Sequence, residues 1–239
     1  MTDQSVNIWI MSKTIEPRRH EGASAKPDVA PAKPKGESNG LRAQKAAARR
    51  EAILAAALDE FAAQGFAATR LDDVARRAGV AKGTIYLHFR DKEALFQELI
   101  RSVLGPFVGT LEVALKADLP VRFVAEQVLE MFVREVYETR RKDVLRLILT
   151  EGQRFPQLAE FYYHEVVERA LAAFRAFMQR AVERGELRSD ALARFPQLLA
   201  APAIIAIMWN GLFGRFEPID PRELLRAHLD LLFGTGRAT

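Results

Sequence analysis

From Ala43 onward, apolar side chains recur every three or four residues, and no run of alternating β-branched residues interrupts them. That period belongs to helices rather than strands, so the chain reads as all-α. Between 45 and 64 the stripe is Ile53, Leu54, Ala57, Leu58 and Phe61, one apolar face along a helix. Gly65 should end it with a left-handed backbone. A short helix over roughly 70–78 then turns Leu71, Val74, Ala75 and Ala78 inward. Thr69 is placed to cap it, and Asp72 and Asp73 fall in its first turn, where the dipole favours them. Gly79 supplies the positive φ of a tight turn. A third helix follows over Lys82–His88, and Asp91 caps a fourth.

The second half continues in helices, over approximately 91–104, 106–116, 120–140, 142–152, 156–185, 190–213 and 221–233. Gly105-Pro106 should break or kink the chain between the first two. Pro120, Pro156 and Pro221 sit where helices begin. Pro196 and Pro202 should bend or split the 190–213 segment, and Asp190 and Asp220 are plausible caps.

Charge is concentrated at one end. Residues 1–50 hold ten Lys/Arg against five Asp/Glu, whereas residues 51–239 hold 25 against 26. Pro17, Pro27, Pro31 and Pro34 also fall in residues 1–44, which show no apolar periodicity and read as a disordered basic arm. Such an arm either engages a phosphate backbone or is a solvated leader. The longest apolar stretch, Leu198 to Trp209, is shorter than the ~20 residues a membrane span needs and contains Pro202, so no membrane association is expected. With no cysteine in the chain, disulfides, thiolate catalysis and cysteine-ligated zinc are excluded. His164-Glu165-Val166-Val167-Glu168 lacks the second histidine of a zinc-binding H-E-x-x-H motif. No metal, cofactor or catalytic constellation is expected, and no phosphate-binding glycine loop or nucleophile elbow is present.

The chemistry-bearing segment is Leu71 to Phe89, a helix, a tight turn and a second helix. Val80 and Ile85 face the shared core. The outer side of the second helix carries Lys82, Gly83, Thr84, Tyr86 and His88. One cation, two hydroxyls and an imidazole, free of carboxylates, suit a polyanion with readable edges. Tyr86 could instead cover the domain edge, and His88 could be packed beside Phe89.

Residues 45–96 resemble the helix-turn-helix DNA-binding domain of TetR/AcrR-type bacterial regulators. The matching pieces, in order, are Ile53-Leu54, Ala57, Phe61, Gly65-Phe66, Thr69, Val74-Ala75, Ala78-Gly79-Val80, Gly83-Thr84-Ile85-Tyr86, His88-Phe89, Lys92-Glu93 and Leu95. The resemblance implies that the third helix enters the major groove of double-stranded operator DNA. It puts Thr84 and Tyr86 on bases or phosphates, His88 on a backbone or base contact, Lys92 on a phosphate, and Thr69 on both a cap and a phosphate. Lys82 is placed to reach a phosphate or a guanine.

Residues 97–239 carry 19 basic and 19 acidic side chains. For them the resemblance implies a helical effector-binding and dimerisation domain, and hence a cytoplasmic homodimeric repressor released by a small apolar or aromatic molecule. Candidate effector contacts are Phe123, Met131, Phe132, Leu147, Tyr163, Phe174, Met178 and Trp209; Leu199, Ile204, Ile207, Leu224, Leu225 and Leu231 are candidates for the dimer face. An all-α enzyme or carrier with a scaffold N-terminal domain, or a transcriptional activator, are the alternative readings.

Overall fold

A computed structural model describes residues 35–187 and 189–234, and among these every regular element is helical. Helix α1 (Lys35–Ala68) begins inside the segment expected to be an extended arm. The rest of that arm, residues 1–34, lies outside the described residues. The described residues from 42 to 234 form one compact unit.

Glycines act where the sequence placed them. Gly65 interrupts α1 with φ 78° and ψ 166°, and only the short stretch to Ala68 follows. Helices α2 (Leu71–Arg77) and α3 (Lys82–His88) are joined through Gly79 at φ 66°. The turn closes through Val80 N donating to Ala75 O at 3.0 Å. Asp91 caps α4 (Lys92–Ala114) by accepting from Ala94 N at 2.7 Å.

Several expected boundaries move. Helix α4 runs unbroken through Pro106 rather than ending at Gly105. A residue before proline is pushed from the helical region partly by a clash with its own Cβ, and Gly105 has none. Buried Leu104 and Val108 then hold both sides of the proline in register. Helix α5 (Val121–Phe132) passes into a π turn at Val133–Tyr137. After α6 (Arg141–Glu151), helix α7 (Pro156–Tyr162) passes into a second π turn at Tyr163–Val167 and on into α8 (Glu168–Glu183). Pro196 splits the next segment into α9 (Ala191–Arg194) and α10 (Gln197–Phe213), and Pro202 lies inside α10. Asp220 caps α11 (Pro221–Phe233) by accepting from Arg222 N and Glu223 N. Asp190 makes no cap bond; Ser189 Oγ accepts from Ala191 N instead.

The core falls into three apolar clusters. The first joins α1, α2, α3 and the beginning of α4 to Val144, Leu147, Ile148, Leu158 and Val166, so it continues past position 96. The second gathers the end of α4 with α5, α8 and α9. The third packs α11 on α5 and its π turn. No helix among the described residues is long and apolar enough to cross a membrane.

Candidate nucleic-acid interface and ligand cavity

Ile85 and Phe89 anchor α3 in the first cluster, both buried. Residues 100–200° away around the helix must therefore face outward. Lys82, Gly83, Tyr86 and His88 are exposed and Thr84 is half-buried, so these five expected residues share one accessible surface. His88 is not packed into the core, its ring lying 6.2 Å from that of Phe89. Leu87, 86% exposed, belongs to the same surface. A reading that counted polar groups passed over it, although its angle from Ile85 points it outward.

Asp72, on α2, organises part of this face. Its carboxylate accepts from Lys82 Nζ at 2.7 Å and from Tyr86 Oη at 3.4 Å. The hydrogen bond from Lys82 holds the Asp72 carboxyl below the usual carboxylate range, and the same bond raises the Lys82 ammonium. Both groups are charged at neutral pH, and the pair is exposed enough to exchange partners when a phosphate approaches.

Thr69 departs from its expected role. It is buried, its hydroxyl donates to Gly65 O at 2.8 Å, and the N-cap of α2 is Arg70, which makes no side-chain cap bond. The Gly65 break leaves a carbonyl to be satisfied, and Thr69 answers it rather than the α2 amides. Lys92 is also partly engaged. Its Nζ donates to the carbonyls of Phe66 and Ala67 at 2.9 and 2.8 Å and lies 4.8 Å from the Phe66 ring centroid. An ammonium has three N–H donors, so one remains for a phosphate.

The end of α1 is thus a junction. Phe66 stacks with Phe61 and meets Phe96 and Phe155 edge-on, with centroids 4.8 to 5.4 Å apart. Glu151, the last residue of α6, lies against Gly65. Asp59 on α1 is 2.6 Å from Arg140, just ahead of α6, and 3.8 Å from Arg77 on α2.

Farther along α4, a cavity of about 370 Å³ opens among α4, α5, α8, α10 and α11. Of the expected effector contacts, Phe132, Phe174 and Met178 line it. The other five do not. Phe123 lies exposed on the outer side of α5. Met131 is buried in the second cluster, turned about 100° from Phe132. Leu147 packs in the first cluster, while Leu145 and Leu149 on the same helix reach the cavity. Tyr163 is exposed, and its neighbour Tyr162 lines the cavity instead. Trp209 donates its indole N–H to Glu217 O at 2.7 Å. The cavity also draws on Val136 in one π turn and Val166 and Val167 in the other, which periodicity could not reveal.

Helices α10 and α11 leave an apolar surface uncovered in the single chain. Ile204, Ile205, Leu212 and Leu231 are exposed, while Ile207 and Leu225 are buried. Leu199, Ile204, Ile207 and Leu225 all line the cavity. His164 Nδ1 sits 3.0 Å from Glu168 Oε2 as an exposed pair one turn apart. Among the described residues, no cluster of three His, Asp or Glu side chains is placed to hold a metal.

The geometry has known counterparts. Residues 53–99 match the sequence profile of the family described as bacterial regulatory proteins, tetR family, and residues 125–231 match that of the tetracyclin repressor-like C-terminal domain. The chain is 28% identical over 189 residues to the HTH-type transcriptional regulator RutR of Escherichia coli K12, covering 79% of this chain and 74% of that one. It shares its fold with FadR of Bacillus subtilis, solved in complex with stearoyl-CoA, at a TM-score of 0.62 and 20% identity over 77% of this chain and 98% of that one. SmeT of Stenotrophomonas maltophilia, solved with triclosan, aligns at a TM-score of 0.64 and 23% identity over 79% and 93% of the two chains. With a helix-turn-helix on an N-terminal helical core, a helical C-terminal half and both profiles matched in order, the chain belongs to the tetR family of bacterial regulatory proteins and is a DNA-binding transcription regulator.

Proposed function

We propose that the protein is a cytoplasmic repressor that binds a near-palindromic operator as a homodimer and leaves it when a small apolar molecule fills the cavity. The observation that carries this reading is the continuity of α4. Its first turns put Leu95, Phe96, Leu99 and Ile100 into the core beneath the reading helix, and its later turns put Leu104, Val108 and Leu111 into the cavity wall. A ligand that reshapes the wall therefore acts on the element that sets the position of α3. Its leverage is its differential affinity for the two arrangements, a few kcal/mol for a useful switch.

In this reading residues 45–96 read DNA and residues 97–239 sense the effector and dimerise. Lys82, Thr84, Tyr86 and His88 face the major groove, Gly83 lets the backbone approach, and Lys92 spends its third N–H on a phosphate. Leu87 adds an apolar contact of the kind a thymine methyl accepts. The uncovered faces of α10 and α11 form the dimer contact. Relatives of this fold hold stearoyl-CoA in one case and triclosan in another, which supports a ligand-responsive role.

The test is binding of the full chain to the DNA upstream of its own gene, as a function of salt, alongside Thr84→Ala and Tyr86→Phe. Weakened binding in both variants with unchanged folding is expected. Unchanged affinity and salt dependence in both would remove α3 from the interface. Expression of the target in a deletion strain should rise, as loss of a repressor requires; a fall would make the protein an activator.

A further inference from the structure

The cavity is built almost wholly of hydrocarbon. Among the described residues, its wall includes no Lys, Arg, Asp or Glu; its side-chain polar groups are those of Tyr162, Gln197 and His228. Gln197 opens α10 and is exposed, so it belongs to the rim. His228 has Nε2 2.8 Å from Leu198 O. A carbonyl only accepts, so Nε2 carries the proton and is already used. Tyr162 is different. It closes α7 directly before a π turn, a distortion that recurs at functional sites. Its hydroxyl donates to no protein group among the described residues, is not sealed from water, and lies among the apolar groups of the first cluster and the cavity wall. Burial pushes its pKa up to about 12, so it stays a donor at any physiological pH.

A hydroxyl on an apolar wall with no protein partner keeps its donor for an incoming group. An acceptor arriving with the ligand would take it up. We infer that the cavity takes an uncharged, mainly hydrocarbon ligand bearing a hydrogen-bond acceptor such as a carbonyl or ether oxygen, and that the Tyr162 hydroxyl is its polar anchor. An ionised ligand is disfavoured, because no Lys or Arg on the described wall offers a fixed counter-charge and desolvating an unpaired ion costs several kcal/mol. This deepens the effector role proposed for the cavity and rests on it.

Calorimetric titration of the full chain at neutral pH tests it with three probes: 2-nonanone, nonanoate and propylbenzene. The ketone should bind at least about tenfold more tightly than the carboxylate of equal length. Tyr162→Phe should weaken the ketone by about three- to tenfold, the net worth of one hydrogen bond, and leave propylbenzene within about twofold. Nonanoate binding as tightly as the ketone, no ketone binding up to its solubility, or an unchanged ketone affinity in Tyr162→Phe would each overturn the assignment. The first two need only the wild-type protein. Operator release is measured separately. Tyr162-dependent ketone binding that leaves the operator complex intact upholds the anchor and defeats the effector role. Release by nonanoate but not by the ketone does the reverse.

Discussion

The Glu151 carboxylate occupies the space where a side chain on residue 65 would stand: a Cβ at Gly65 would lie 2.9 Å from Glu151 Oε1. The backbone there, at φ 78° and ψ 166°, is in a region that essentially only glycine enters. Two independent penalties therefore meet at one position, where the end of α6 touches the end of α1. Gly65→Ala should lower stability by about 1–3 kcal/mol from the backbone alone, read as a shifted urea midpoint with an unchanged slope. Glu151 Oε2 has no hydrogen-bond partner among the described residues, so Glu151→Ala alone should cost under about 1 kcal/mol. Combining the two should recover only the steric share of the Gly65→Ala loss. A Gly65→Ala midpoint equal to wild type would mean that the turn re-forms without a glycine.

Gly83 poses the opposite case. A Cβ there would meet nothing within 4 Å in the free protein, and its backbone is helical within α3. Alanine should therefore leave the free protein as stable or raise its stability by up to ~1 kcal/mol through helix propensity. In the proposed interface the same methyl stands between the backbone and the DNA. Operator affinity should fall about tenfold or more, equivalent to ~1.4 kcal/mol. A variant that is more stable and binds the operator equally well would show that the backbone at 83 does not approach DNA.

How much of this was legible in the sequence depended on how local each cause is. Gly79, Asp91 and Ile85 were readable because a turn, a cap and a helix face are set within a few residues. Thr69 was misread because its partner, Gly65 O, exists only once the glycine has broken α1. The cavity was read only in part. Phe132 was named and lines it, but Met131 beside it does not, and Tyr163 was named where Tyr162, next to a π turn, lines the wall. An error of one residue is about 100° around a helix, enough to turn a wall residue into a core or surface one. The π turns extend two helices without interrupting their apolar spacing in any recognisable way, so nothing in the chain announced them. Glu151 was invisible for a different reason, since its meaning comes from a contact with a residue 86 positions earlier (151 − 65).

Lys92 ties two helices together at one ammonium and keeps one N–H spare. Its bonds to Phe66 O and Ala67 O and its place over the Phe66 ring fasten α4 to the end of α1. Lys92→Met keeps the stem and removes the charge. Stability should fall by about 1–3 kcal/mol, the range for hydrogen bonds to a charged group. If the third N–H meets a phosphate, the slope of log affinity against log salt should also shrink by about 1. Loss of stability with an unchanged slope would make Lys92 a structural pin alone.

The exposed apolar face of α10 makes the last prediction. Ile205 is 51% exposed in the single chain, does not line the cavity as its neighbour Ile204 does, and lies on a helix with no charged residue. In a two-fold dimer each partner contributes the same patch, so one substitution enters the contact twice. Ile205→Glu would bury two unpaired carboxylates, each costing several kcal/mol, against only a small cost to the free chain. Sedimentation velocity should show the wild type as a dimer and the variant as a monomer with an unchanged melting profile of its secondary structure. Operator affinity should collapse with it, because one short reading helix grips one half-site and the palindrome needs two. Calorimetric binding of 2-nonanone should survive, since the cavity is lined from within one chain. A variant that remains dimeric and still holds its operator would place the dimer contact somewhere other than this face.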